Sequence, residues 1–171
     1  MRILGVDPGT YKMGVGVVEE EREEINLLYS DVLTAARSKP LSVRLHYFYT
    51  QILELIERWQ PNAVAIEQPF VAKNPRSALA IGQAQAVALV AAAHFSIPVS
   101  TYSPRQVKQS VADYGGSSKE QVREMVRVHL HLPHLLAPLD ATDALAVALC
   151  HSHHVQAQQL ISMTDERGVF P

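Results

Sequence analysis

The chain has 171 residues, of which 47% are hydrophobic and 19% are charged, and its formal net charge is −2. This length fits one well-packed domain and is short for two, and the apolar fraction excludes a disordered chain. The near-neutral charge gives no global sign of nucleic-acid binding, although basic residues in the middle and later thirds could form a local basic face. The single cysteine, Cys150, lies in an apolar segment and indicates a buried thiol in a reducing compartment.

The N-terminal segment and the apolar runs indicate neither secretion nor membrane insertion. The segment MRILGVDPGT has no long apolar stretch and carries Asp7 early, which does not fit a signal peptide. The most apolar run, AVALVAAA at 86–93, is far too short to span a bilayer. We therefore expect a cytoplasmic protein.

The first third of the chain predicts three strands. MRILGVDP, Met13 to Glu20 and Glu24 to Thr34 are apolar segments, and the acidic run EEEREE at 19–24 predicts a solvated hairpin between the last two. Together they predict an antiparallel meander. Helical spacing of apolar residues then runs from Ser42 to Trp59.

The remaining elements alternate between strands and helices. A strand NAVAIEQ is followed by an Ala-rich helix from Ser77 to Phe95 and a strand from Ile97 to Tyr102. Three helices are then predicted: from Pro104 to about Tyr114, from Ser118 to about Leu130, and from Asp140 to about His154. The second of these begins with Ser118 as N-cap and Gln121 as the partner in a capping box. This order predicts an α/β fold with a mixed five-stranded sheet, whose first three strands are antiparallel, and helices on both faces. We expect one domain over residues 1–156 and a flexible C-terminal tail over residues 157–171.

Four acidic residues lie where predicted elements end or begin. Asp7 and Glu67 each end a buried strand, and ligands of such sheets bind outside the carboxyl ends of the strands. Asp140 and Asp143 open an apolar helix and lie three residues apart on one face. Carboxylates at the edge of a core are unfavourable unless a cation neutralises them, and no arginine lies nearby in the sequence. The pattern therefore predicts a divalent metal site, with Mg²⁺ as the preferred ion.

Each acid except Glu67 also has a purely structural explanation. Asp140 suits a helix N-cap, and an acid three residues later suits the positive end of the helix dipole. Asp7 begins the turn sequence DPGT, where its side chain could bond the local backbone. Glu67 follows AVAI directly and caps no evident helix. The joint occurrence of all four favours a functional site more than any single one does.

Several segments together resemble one known family. They are ILGVDPGT, AIEQPFVAKNPRSALAIGQA, SPRQVKQSV, SSKEQV and DATDALAVALCH. They are similar to those of the RuvC Holliday junction resolvases, a branch of the ribonuclease H-like superfamily, and the resemblance covers roughly residues 1–154. It implies a ribonuclease H-like fold and a homodimeric, Mg²⁺-dependent endonuclease that nicks two opposed strands of a four-way DNA junction symmetrically, in recombination and DNA repair.

The resemblance also implies roles for individual residues. The metal-binding catalytic acids would be Asp7, Glu67, Asp140 and Asp143, holding two Mg²⁺ ions, with Mn²⁺ as a substitute. Some relatives carry His at the position of Asp140. The resemblance places Lys108 and Lys119 near the cleaved strand and Phe70 near the junction centre. Independently of the resemblance, Lys73, Asn74 and Arg76 flank Phe70 and could hold phosphates, and Arg105 is a further expected DNA contact. The expected partners are junction DNA, a second copy of the chain, and a branch-migration motor complex of the RuvA and RuvB type.

Simpler explanations stay open for these contacts. Lys108 and Lys119 could be ordinary solvated lysines, and Phe70 could anchor its loop in the core. The Ala-rich helix could be buried on the sheet or could meet its copy in a second subunit. The histidines at 129–134 and 151–154 do not show zinc-site spacing and are expected to be solvated. Rival functions are cleavage of RNA in hybrids, an actin-like kinase or ATPase, and junction binding without cleavage.

Overall fold

The computed structural model describes residues 1–22, 24–69, 75–134 and 138–166, and for residues 75–77 and 164–166 it describes the backbone alone. The strands are β1 (Arg2–Asp7), β2 (Lys12–Glu21), β3 (Glu24–Thr34), β4 (Ala63–Glu67) and β5 (Val99–Tyr102). The helices are α1 (Leu41–Trp59), α2 (Pro75–His94), α3 (Pro104–Ala112), α4 (Lys119–His129) and α5 (Leu139–Glu166). Every predicted element is present, and most boundaries agree within about two residues.

Within the described residues the strands form one mixed five-stranded sheet in the order β3-β2-β1-β4-β5. The meander β1-β2-β3 is antiparallel, and β4 joins β1 in parallel, as β5 joins β4. The register pairs Val6 of β1 with Ile66 of β4. The next residue on each strand is acidic, so Asp7 and Glu67 lie side by side at the same edge of the sheet. The predicted sheet is confirmed.

The two faces of the sheet carry separate hydrophobic cores. Leu4 of β1 packs with Phe48 of α1 and Ala88 of α2 on one face. Ile3 packs with Leu145 of α5 on the other, together with residues of α3 and α4. Successive side chains of a strand point to opposite faces of the sheet. Because both faces are covered by helices, nearly every residue of β1 is apolar. The prediction of helices on both faces is confirmed.

Glycines in the first two strands let α5 lie directly on the sheet. A Cβ atom at Gly5 would collide with the carbonyl oxygen of Ala144, and one at Gly14 would collide with that of Asp140. Only a residue without a side chain permits so close an approach. The start of α5 is thereby held over the carboxyl end of β1, where Asp7 lies.

The predicted end of the last helix is wrong. The helix does not stop near His154 but continues to Glu166. The added segment, residues 155–166, contains neither glycine nor proline, so nothing in it interrupts the helical backbone. The domain boundary at residue 156 and the flexibility of residues 157–171 stay predictions. No helix of the described residues is both long and apolar enough to cross a bilayer.

Two of the histidines predicted to be solvated pack inside the protein. His151 is buried, and its Nδ1 lies 2.8 Å from the hydroxyl of Tyr102 on β5. His153 is half-buried, and its Nδ1 lies 3.2 Å from the hydroxyl of Ser110 on α3. They are two positions apart and therefore point to different sides of α5: His151 meets β5, and His153 meets α3. The sequence prediction failed because it treated HSHH as a surface run instead of placing it by helical periodicity.

Candidate active site

Three of the four predicted acids meet where β1, β4 and α5 come together. Asp7 and Glu67, at the ends of adjacent parallel strands, share a hydrogen bond between their carboxyl groups. The charge of Asp143, in the first turns of α5, raises the pKa of both groups. Three carboxyl groups from distant parts of the sequence therefore lie in one acid cluster: Asp7, Glu67 and Asp143.

The acid cluster is electrostatically unfavourable on its own. Burial, together with the charge and the hydrogen bond of Glu67, raises the pKa of Asp7 to about 8. Burial also raises the pKa of Glu67, although the hydrogen bond from Asp7 opposes the shift. The pair thus retains a proton near neutral pH, because two buried carboxylates in contact cannot both ionise without a cation.

Asp140 lies to one side of the acid cluster. Its carboxylate pairs with Nζ of Lys12 at 3.7 Å, and both side chains are exposed. Lys12 begins β2, directly after the turn that follows Asp7. Among the described residues, no three acidic, histidine or cysteine side chains already converge as a finished metal site. The structure therefore brings together three predicted ligands and leaves the role of the fourth a prediction.

Two cations of α4 contact the acid cluster. Nζ of Lys119 donates to Oδ2 of Asp143 at 3.2 Å, and Nη2 of Arg123 lies 3.7 Å from the same oxygen. No arginine lies near the acids in the sequence, but α4 packs beside α5 and brings Arg123 to Asp143. Lys119 and Arg123 are four residues apart, which places them on one helical face. The spacing relates Arg123 to Lys119, but nothing in the sequence indicated that this face of α4 meets Asp143, or that Lys12 meets Asp140.

A cleft of about 220 Å³ opens beside the acid cluster. Its polar lining consists of Glu67, Asp143, Lys108 and Lys119, and its apolar lining consists of Pro104, Val107, Val122 and Ala146. The charges of Lys108 and Lys119 favour the ionised form of Glu67 and lower its pKa. Both predicted cleft lysines are therefore beside the acids, in a place where a phosphate would meet positive charge and carboxylates at once.

The other predicted DNA contacts divide into two groups. Arg105 is exposed on α3 and packs against the backbone turn at Gly115, outside the cleft lining. Phe70, Lys73 and Asn74 lie outside the described residues, as does the side chain of Arg76. Their DNA contacts stay predictions.

The donors in the acid cluster suit a hard divalent cation. They are all carboxylate oxygens, which Mg²⁺ and Mn²⁺ prefer to thiolate or imidazole. The raised pKa of Asp7 indicates that the folded chain does not fully compensate the negative charge that Asp7 and Glu67 would carry together. A dication would displace the proton that this pair retains and offset the repulsion, so the residues present fit a metal ion.

Comparison with known proteins identifies the family of the chain. The family model described as "Crossover junction endodeoxyribonuclease RuvC" matches residues 3–151. A protein of that name from Dehalococcoides mccartyi is 50% identical over 165 residues, which are 96% of this chain and 99% of the relative.

Solved structures show the same fold. The Thermus thermophilus RuvC structure superimposes with a TM-score of 0.85 and 35% identity, over 92% of this chain and 97% of that chain. The structure of T. thermophilus RuvC in complex with Holliday junction substrate gives a TM-score of 0.83 and 34% identity, over 92% and 96%. The fold is ribonuclease H-like, and the chain belongs to the RuvC family of crossover junction endodeoxyribonucleases.

Proposed function

We propose that the chain is a structure-selective DNA endonuclease that resolves Holliday junctions by paired, symmetric nicks in recombination and DNA repair. The observation that carries the proposal is the acid cluster at the carboxyl ends of β1 and β4, facing a cleft that also holds Lys108 and Lys119. Family membership supports it, since relatives at up to 50% identity carry the name of this activity.

Asp7, Glu67 and Asp143 would hold the metal, with Asp140 beside them as the predicted fourth ligand. Two Mg²⁺ ions, or Mn²⁺ in their place, supply activation of water and relief of charge on the leaving oxygen when bound. The Asp7–Glu67 pair gives up its proton and becomes fully anionic as the site loads. Both carboxyl groups are half-buried, and the lower local dielectric strengthens their electrostatic effect on a bound cation.

Lys108 and Lys119 hold the phosphate of the strand to be cut. Both line the cleft, and both act on Glu67 electrostatically, so a phosphate between them would be close to the acids. DNA would therefore be drawn by local charge rather than by the net charge of −2. We place Phe70 on the DNA surface around this cleft, as the family resemblance implies. Lys73, Asn74 and Arg76, which flank Phe70 in the sequence, and the basic Arg105 are proposed as further phosphate contacts.

We further propose that the working form is a homodimer in the cytoplasm, which can be joined by a branch-migration motor complex of the RuvA and RuvB type. The exposed side of α2 carries Leu79, Leu89 and Val90 beside an apolar groove against α1. A twofold contact there would present two equivalent sites to a four-way junction. Sedimentation should show a dimer, and Val90→Glu should yield a monomer that nicks one strand at a time.

The decisive experiment uses a synthetic four-way junction labelled on each strand, with Mg²⁺, scored for nicks on opposed strands. Duplex DNA and an RNA–DNA hybrid of the same sequence serve as controls, and Asp7→Asn serves as the inactive variant. The proposal expects paired nicks on the junction alone, lost with a chelator and in Asp7→Asn. Equal cleavage of the hybrid, or binding of the junction without any nicking, would contradict it.

A further inference from the structure

The two cations on Asp143 differ in how far they can move. The side chain of Lys119 is 68% exposed, whereas that of Arg123 is 14% exposed. Lys119 can therefore swing from Asp143 to a phosphate in the cleft. Arg123 is confined by the packing around its stem, and it is absent from the side chains that line the cleft. One cation is exchangeable and the other belongs to the interior.

The contact of Arg123 with Asp143 acts through charge rather than through a hydrogen bond. The closest distance, 3.7 Å from Nη2 to Oδ2, exceeds the hydrogen-bonding range. Nε of Arg123 is buried and has no hydrogen-bond partner within the described residues. The interaction of Arg123 with the acid cluster that the structure shows is therefore the charge pair with Asp143.

A fixed positive charge beside a metal ligand has two opposite consequences. Without metal, it offsets the negative charge of Asp143. With metal, it repels the incoming dication, because both seek the same carboxylate. An anionic phosphate entering the cleft would offset that repulsion, so metal and DNA would each strengthen the binding of the other.

We propose that Arg123 is an internal counter-ion of Asp143 that weakens divalent-metal binding until a DNA phosphate arrives. Arg123 is thus a positioning residue: it acts through Asp143 and touches neither DNA nor the reacting atoms. This inference rests on the proposed function, since it concerns the metal site of the nuclease. It assigns a role to a residue of α4 that the sequence pattern did not single out.

The test is a titration of the metal-free protein with Mn²⁺, without DNA, followed by electron paramagnetic resonance of the free ion. Arg123→Met removes the charge and keeps an apolar stem, and Arg123→Lys keeps the charge. Arg127→Met is the matched control, because Arg127 lies on the same helix but pairs with Glu124 at 2.6 Å. Thermal melting confirms that each variant folds, and Arg123→Gln replaces Arg123→Met if the latter does not melt cooperatively.

The proposal expects the neutral variant of Arg123 to bind Mn²⁺ roughly fivefold more tightly than the wild type. Arg123→Lys and Arg127→Met should stay within about twofold of it. Adding an uncut junction with a non-hydrolysable linkage should tighten Mn²⁺ binding more in the wild type than in the neutral variant.

Unchanged or weaker Mn²⁺ binding in the neutral variant would overturn the inference. Equal tightening in Arg127→Met would also overturn it, because the effect would then be one of general charge. Neither result would affect the proposed function, which is judged separately by whether the wild type makes paired nicks in the junction.

Discussion

Two polar clusters lie against α5, and they differ in whether the chain itself provides hydrogen-bond partners or compensating charge for their polar groups. The first is the acid cluster of Asp7, Glu67 and Asp143. The second, the histidine cluster, consists of Tyr102, Ser110, His151 and His153, about two turns further along the helix. In the histidine cluster, the hydroxyls of Tyr102 and Ser110 lie 2.8 and 3.2 Å from the Nδ1 atoms of His151 and His153. In the acid cluster, carboxyl groups face one another, and burial together with the charge of Glu67 raises the pKa of Asp7.

Burial has the same physical effect on both clusters, with opposite signs for the pKa. It raises the pKa of Asp7 and Glu67 and lowers the pKa of His151 and His153, because it favours the neutral form in each case. Neutral histidines with hydrogen-bond partners are stable in the interior, whereas buried carboxyl groups in contact need an external cation. The comparison indicates that the histidine cluster holds the fold and that the acid cluster is built for a ligand.

The largest expected effect comes from breaking the acid cluster. Asp7→Asn should lower junction cleavage by roughly 10³-fold or more, because it removes a negative ligand from the metal site. Junction affinity in a chelator should change by less than about threefold, since the basic surface is retained. Gel-shift and nicking assays on one labelled junction measure both. A parallel loss of binding would mean that Asp7 supports the DNA surface and not the chemistry.

The pH dependence of stability should distinguish the two clusters. In metal-free protein the native state holds the proton of Asp7 up to about pH 8, whereas the unfolded chain releases it near 3.8. The contribution of this group is therefore fully present at low pH and is lost as pH rises towards about 8. The lowered pKa of His151 and of His153 works the other way: their contribution is present above about pH 6.5 and is lost as pH falls.

Denaturation in a chelator should expose this difference. Asp7→Asn should gain stability over the wild type by up to about 4 kcal/mol as pH rises from about 5 to about 8. Urea unfolding at several pH values measures the gain, with Asp31→Asn, on the exposed part of β3, as the control. A constant difference between Asp7→Asn and the wild type would show that Asp7 is not held protonated.

A smaller effect is expected from Lys119, which tests whether the cleft beside the acid cluster binds phosphate. Lys119→Ala should slow cleavage by roughly tenfold and reduce the slope of log affinity against log salt by about one, because one phosphate contact is lost. Lys39→Ala, an exposed residue before α1, is the matched control. If the salt slope of Lys119→Ala equals that of the wild type, Lys119 pairs only with Asp143 and holds no phosphate.

The smallest effect is expected in the histidine cluster. Tyr102→Phe removes the hydroxyl that meets buried His151 and should lower the free energy of unfolding by about 1 kcal/mol. Cleavage by the folded protein should stay within about twofold of the wild type. Urea unfolding and the junction assay measure the two quantities. A large loss of cleavage with little loss of stability would show that the histidine cluster supports catalysis and not only the fold.

The sheet and the two strand-end acids were predictable from the sequence because local pattern determines them. Continuous apolar runs ended by Asp7 and Glu67 indicated buried strands, and strand order then placed the two acids together. The capping box of Ser118 and Gln121 likewise marked the start of α4. Such features depend on spacing within a few residues and on general rules of strand connection.

The remaining features depend on packing between distant elements. Arg123 reaches Asp143 because α4 packs against α5, and no spacing in the sequence encodes that distance. Asp140 pairs with Lys12 for the same reason. His151 was mistaken for a surface residue because its polar character was given more weight than its position on the buried side of α5.

Proton release on metal binding tests the central claim most directly, namely that the acid cluster is incomplete without a divalent cation. Calorimetric titration of the metal-free protein with Mg²⁺ at about pH 7, in buffers of different ionisation enthalpy, gives the number of protons released. We expect the wild type to release close to one proton per chain when Mg²⁺ binds. Asp7→Asn should release no such proton and should bind Mg²⁺ more weakly. Binding without proton release, or equal binding by Asp7→Asn, would contradict the central claim.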